Sequence, residues 1–131
     1  MRFSEILGHD AQKAALLAGV ALGRVPHAQL FVGPEGCGLL PMALAYAQYV
    51  FSQNQTSENS DEGAGCNLRC DHPSHPDLHF VYPTATNNRV KSKPSSIAFL
   101  DDWRSFVLEN PYGSLFDWYQ HLGVENKQGQ I

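Results

Sequence analysis

Residues 31–43 read FVGPEGCGLLPMA, an apolar lead-in that runs into a glycine-rich turn. A phosphate-binding loop has the pattern G-x-x-x-x-G-K-[ST], in which successive backbone N–H groups wrap phosphate oxygens at a helix N-terminus. Gly33 and Gly38 stand at the right spacing, and Gly36 adds an inner glycine. The backbone half of the motif is therefore intact. The side-chain half is absent, because Leu39 stands where the lysine would neutralise the phosphates and Leu40 where a hydroxyl would ligate Mg²⁺. Phosphoryl transfer is catalysed almost entirely by charge and positioning, so ATP hydrolysis is not expected here, and Gly33, Gly36 and Gly38 are expected to form a vestigial phosphate loop. Two leucines also predict that the following helix packs against a neighbour.

Working outward, Asp10 is placed to cap a helix over about residues 11–22, with Ala14, Leu17, Ala18 and Ala21 on one face and Gly23 as its stop. Ala28 to Val32 is short and apolar and ends at Gly33-Pro34, as a buried strand feeding a turn would. After the glycines, Leu40, Ala43, Leu44, Ala47 and Phe51 predict a helix, and Pro41 is acceptable in its first turn. From Ser52 to Gly65 the composition turns polar with no apolar period, which predicts an exposed, mobile loop.

Leu78 to Tyr82, bounded by Pro76 and Pro83, predicts a second strand. Residues 84–96 predict another loop, in which Arg89, Lys91 and Lys93 are suited to touch phosphate, although such cations are ordinarily just solvated. Ser95 or Ser96 is placed to cap a helix lined by Phe99, Trp103, Phe106 and Val107, which stops near Asn110-Pro111. Leu115, Trp118, Tyr119 and Leu122 mark a last helix ending at Gly123. The aromatic residues of these two helices are expected to form a core or a helix–helix contact.

Strand, glycine loop and helix in that order predict an α/β fold: a truncated P-loop domain with an incomplete parallel sheet and flanking helices. Such a sheet needs more strands than two, so the chain is expected to stop before its core is complete. At 131 residues there is room for one modest domain, and 43 % hydrophobic with 17 % charged residues is the composition of a soluble protein. The net charge of −4 argues against a free-standing nucleic-acid binder, leaving any DNA contact local or supplied by partners. No apolar run approaches the roughly 20 residues that span a bilayer, and nothing resembles a signal peptide, so the expected compartment is the cytoplasm. Cys37, Cys66 and Cys70 are an odd number, for which metal binding or burial is a better account than disulfides. Cys37 has no sequence neighbour that would act as its base, so a nucleophilic role is not expected.

Several longer stretches carry a family resemblance: FSEILGHDAQKAALL (3–17), GRVPHAQLFVGPEGCG (23–38), ALAYAQYVF (43–51) and HPDLHFVYP (75–83). Together they resemble the N-terminal AAA+ (RecA-like) domain of bacterial clamp-loader delta-prime subunits of DNA polymerase III. WRSFVLENPYGSLFDWY (103–119) and GVENKQGQI (123–131) resemble the Bacteroidetes members. The related gamma/tau subunits keep a working phosphate loop, so Leu39 and Leu40 favour delta-prime. The resemblance implies a non-catalytic structural arm of the complex that loads the sliding clamp in DNA replication. Implied partners are the gamma/tau and delta subunits, with clamp and primer–template DNA met through the complex. No activity is implied for this chain alone, although the parent complex is a DNA-directed DNA polymerase, a nucleotidyltransferase. The acidic strand motif, arginine finger, lid and collar domains of that family are not in residues 1–131, and a fragment with an open sheet edge is expected to self-associate.

That family also inserts a zinc module after the loop's helix, with four cysteines followed by His-Pro-Asp. Here a degenerate version spans about residues 52–77: Ser52 stands near the first cysteine position, only Cys66 and Cys70 remain, and the tag survives as His75-Pro76-Asp77. Cys66, Cys70, His72 and His75 are candidate zinc ligands, since thiolate and imidazole suit a tetrahedral site. The competing account is a decayed module whose cysteines are loop residues, with His75 leading into the second strand. Two readings from other classes stay open: a small P-loop ATPase or kinase-like enzyme that tolerates an unusual loop, and a zinc-dependent binding module centred on 66–75.

Overall fold

The computed structural model describes residues 1–53 and 75–124. It divides into two compact units, Met1–Asp71 and His72–Ile131.

In the first unit a 3₁₀ turn, Phe3–Glu5, precedes helix α1, Asp10–Ala21, and helix α2, Leu39–Gln53. Asp10 is the first helical residue and not the cap; the cap position belongs to His9, whose backbone is left-handed at φ 59°. An acidic residue in the first turn still complements the positive end of the helix dipole. Gly23, at φ 66°, closes α1 by donating its N–H to the Val20 carbonyl, the left-handed C-terminal exit that glycine makes cheap. The core is Ile6, Met42 and Ala45, with Met1, Phe3, Leu16 and Phe31 packed around it. Lys13 donates from Nζ to the Ile6 carbonyl at 2.7 Å. The buried face of α2 is Pro41, Met42, Ala45 and Gln48, one residue out of phase with the expected Leu40, Ala43, Leu44, Ala47 and Phe51. The latter are half-buried.

The second unit begins extended, turns at Asn87–Val90, and passes through a 3₁₀ turn, Ser96–Phe99, into helix α3, Leu100–Glu109, and then helix α4, Leu115–His121. Here the helical period expected from sequence matches the burial: Phe99, Trp103, Phe106 and Val107 are all buried, and α3 ends at Asn110. Trp118, 1 % exposed, stands edge-on to Trp103 at 5.1 Å and donates Nε1–H to the Pro83 carbonyl at 2.7 Å. Tyr82 stacks on Trp103 at 4.3 Å and donates its hydroxyl to the Ser96 carbonyl at 2.5 Å. Ser114 caps α4 reciprocally with Asp117, and those hydrogen bonds hold the Asp117 carboxyl below its ordinary pKa.

The expected α/β fold is corrected by these observations. Among the described residues there is no strand and no sheet, only an isolated bridge at Thr84. Ala28–Val32 and Leu78–Tyr82, read as parallel strands of a P-loop domain, run without a ladder. A strand exists only by backbone pairing, and the sequence pattern reports an apolar extended segment without reporting a partner. Leu30 and Val32 are 87 % and 81 % exposed instead of buried, and Tyr82 spends its burial on the aromatic cluster. No helix among the described residues is long and apolar enough to cross a membrane.

Candidate functional site

The glycine turn lies in the first unit and leads straight into α2. Cys37 N–H bonds to the Pro34 carbonyl at 3.3 Å, and Gly38 accepts the first helical bond, from Met42 N–H at 3.0 Å. Gly36 and Gly38, on either side of Cys37, have φ of 76° and 93°, positive values that side-chain-bearing residues avoid. Gly33 is glycine for a different reason: a Cβ there would stand 2.7 Å from Cys37 Sγ and 3.3 Å from Leu39 Cδ2. Gly33, Gly36 and Gly38 are thus brought together in one turn, with Leu39 folded back against it.

This turn forms one wall of a cavity of about 560 Å³ whose other walls include His9 and Leu16 of the α1 region, Leu30, Val32 and Met42. No Lys, Arg, Asp or Glu lines it. A polyphosphate placed here would meet no Lys or Arg side chain and no metal-anchoring hydroxyl at position 40.

One participant is not legible from the motif. His9 Nε2 donates to the Cys37 carbonyl at 2.8 Å, joining the start of α1 to the turn across 28 residues of sequence. The histidine therefore engages the Cys37 backbone, and the thiol is a free, half-buried group beside Gly33. The only local hint was Gly8-His9 immediately before a helix, where both residues adopt positive φ.

Of the proposed zinc ligands, Cys66, Cys70 and His72 lie outside the described residues. His75 is described, and its Nδ1 accepts the Asp77 N–H at 3.2 Å. Among the described residues no group of three His, Cys, Asp or Glu side chains could hold a metal ion.

In the second unit, the Asn87 side chain accepts N–H bonds from Arg89 and Val90, at 2.9 and 2.8 Å, and so shapes the turn that carries the cationic run. Arg89 is held over the Phe99 ring at 5.5 Å and pairs with Asp102, so it is a positioned cation and not a merely solvated one. Lys91 and Lys93 are exposed. Between Asp77 and Asp101 the sequence has no acidic residue. Arg89, Asp102 and His121 border a second cavity of about 320 Å³, with Asn87 and Asn88. Burial, reinforced by the nearby Asp102 charge, pushes the Tyr82 hydroxyl up to about 12.

A family model described as DNA polymerase III, delta subunit, matches residues 8–112, a span that runs from just before α1 to just past α3. No curated protein and no solved structure matches the chain.

Proposed function

Because the chain belongs to the DNA polymerase III delta-subunit family, and so to the clamp-loader type of subunit, we propose that it is a delta-prime-like, non-catalytic arm of the complex that loads the sliding clamp. The observation that carries the finer assignment is the glycine turn at the head of α2. It presents Gly33, Gly36 and Gly38 without a lysine or a hydroxyl, beside a cavity with no charged wall. Such a turn can organise a helix start but has nothing with which to stabilise a transferring phosphoryl group. ATP is then turned over by neighbouring gamma/tau subunits, and this chain contributes an interface.

The loop at Arg89–Lys93 supports a contact with the phosphate backbone of primer–template DNA inside that complex. Three cations lie within five residues of an acid-free stretch, in a chain whose net charge is −4. The geometry does not favour the rival ATPase or kinase-like enzyme, since no cation reaches the turn's cavity.

The test is twofold. Calorimetric titration of the chain with MgATP should give no heat of binding, whereas tight, Mg²⁺-dependent binding would overturn the non-catalytic assignment. Mixing the chain with gamma/tau and delta subunits should give a co-migrating complex on gel filtration, and failure to co-migrate would overturn the structural-arm assignment.

A further inference from the structure

The cavity of about 320 Å³ in the second unit is walled by Asn87, Asn88, Arg89, Asp102 and His121. Its two formal charges come as a pair, because Arg89 is bound to Asp102. A free anion would meet the carboxylate and a free cation the guanidinium, so neither suits the pair. The complementary ligand is neutral and carries an acceptor beside donors.

The groups around the pair have hydrogen-bonding capacity to spare. Arg89 makes its bonds to Asp102 and to the Ala98 carbonyl through Nη2, which leaves Nε and Nη1 to donate. The Asp102 oxygen in that pair is Oδ2, so Oδ1 remains to accept. Asn87 uses Oδ1 to accept from the Arg89 and Val90 N–H groups, and its Nδ2 donates to no described residue. His121 adds a flat surface: its ring lies 5.9 Å from that of Trp118 at an interplanar angle of 19° and is itself exposed.

A nucleobase is a ligand of this kind, being planar, neutral and edged with donors and acceptors. Guanine matches the charge pair best, since its O6 and N7 accept from an arginine while its N1–H and N2–H groups can share one carboxylate. Adenine has no N1–H and would turn a lone pair toward Asp102. The volume is near the lower end of ligand sites, about 300 Å³, and suits a single base. Lys91 and Lys93 follow Arg89 closely in sequence, which places cations near the phosphate that accompanies such a base.

We propose that this cavity is a guanine-base pocket, in which Asp102 accepts N1–H and N2–H, Arg89 donates to O6 and the base stacks on His121. The base can come from a free guanine nucleotide or from a single strand. The clamp-loader assignment does not enter this inference.

The experiment is calorimetric titration of the full chain with guanosine and adenosine monophosphates, and with oligo(dT) strands that carry or lack one dG. Guanine should be preferred by more than about tenfold in at least one arm. A preference shown by the free monophosphate assigns the pocket to a nucleotide, and one shown only by the dG strand assigns it to single-stranded nucleic acid. Asp102→Asn keeps an oxygen for Arg89, so its far-UV circular dichroism should match the wild type's. Its amide N–H, however, opposes the N2–H of guanine and suits the second carbonyl of xanthine. That variant should lose the guanine preference and bind xanthine, offered in the same form, more tightly than the wild type does. No guanine preference in either arm, or a folded Asp102→Asn variant that still prefers guanine, would each overturn the proposal.

Discussion

His9 Nε2 donates to the Cys37 carbonyl oxygen at 2.8 Å, and His9 itself sits at φ 59°, in the left-handed region. One side chain thus ties the glycine turn to the start of α1 from a backbone conformation that a residue with a Cβ adopts at a cost. Replacing it separates the two contributions. His9→Ala loses the bond and keeps the strain; His9→Gly loses the bond and relieves the strain. Urea unfolding should therefore rank wild type above His9→Gly, and His9→Gly above His9→Ala by about 1 kcal/mol. Equal stability of the two variants would mean that the backbone relaxes out of the left-handed region.

Gly33 is constrained by Cys37 and not by its own φ. Gly33→Ala would put a methyl 2.7 Å from Cys37 Sγ, closer than packed atoms tolerate, and should cost about 1–3 kcal/mol. Trimming the obstacle should rescue it. In the double variant Gly33→Ala/Cys37→Ala most of the loss should return, which a double-mutant cycle in urea reads as a coupling energy. Additive effects would show that the turn opens to admit the methyl.

Tyr82 supplies a pH-dependent contribution. Its folded pKa, raised to about 12 from an ordinary 10, means that the unfolded chain gives up the proton first as pH rises. The stabilisation is complete below about pH 10 and is lost progressively between about 10 and 12. Tyr82→Phe keeps the stacking on Trp103 but removes the hydroxyl that donates to Ser96, so it should be about 0.5–1.5 kcal/mol less stable at neutral pH. Its stability should also fall less steeply than the wild type's across the alkaline window, as chemical denaturation at a series of pH values would show.

The helices were legible because their signals are local. Phe99, Trp103, Phe106 and Val107 repeat at helical spacing, and Ser114 with Asp117 forms a cap within four residues. The sheet was not legible as absent, because an apolar run such as Ala28–Val32 looks the same whether or not a neighbour pairs with it. The phase of α2 was missed for a related reason. Its leading face is apolar almost all round, so Leu40 and Met42 compete for the core and only the contact with Ile6 decides between them. At the site, the glycine spacing announced a turn, but His9 was invisible, since its partner is a backbone carbonyl 28 residues away.

The cationic loop gives the last prediction. Arg89 is pinned by Phe99 and Asp102, so its removal would disturb the unit, whereas Lys91 and Lys93 are exposed and their substitution leaves the aromatic cluster intact. If the two lysines face phosphates, each contributes counterion release, and log Kobs falls with log salt by roughly 0.9 per contact. The variant Lys91→Ala/Lys93→Ala, assembled into the clamp-loader complex, should bind primer–template DNA more weakly at low salt, with a salt slope shallower by about 2. Sequence preference should not change, because phosphate contacts position the duplex without reading it. Fluorescence anisotropy on a labelled duplex over a salt series measures both quantities. An unchanged slope in a complex of normal composition would place the DNA elsewhere on the assembly while leaving subunit association untouched.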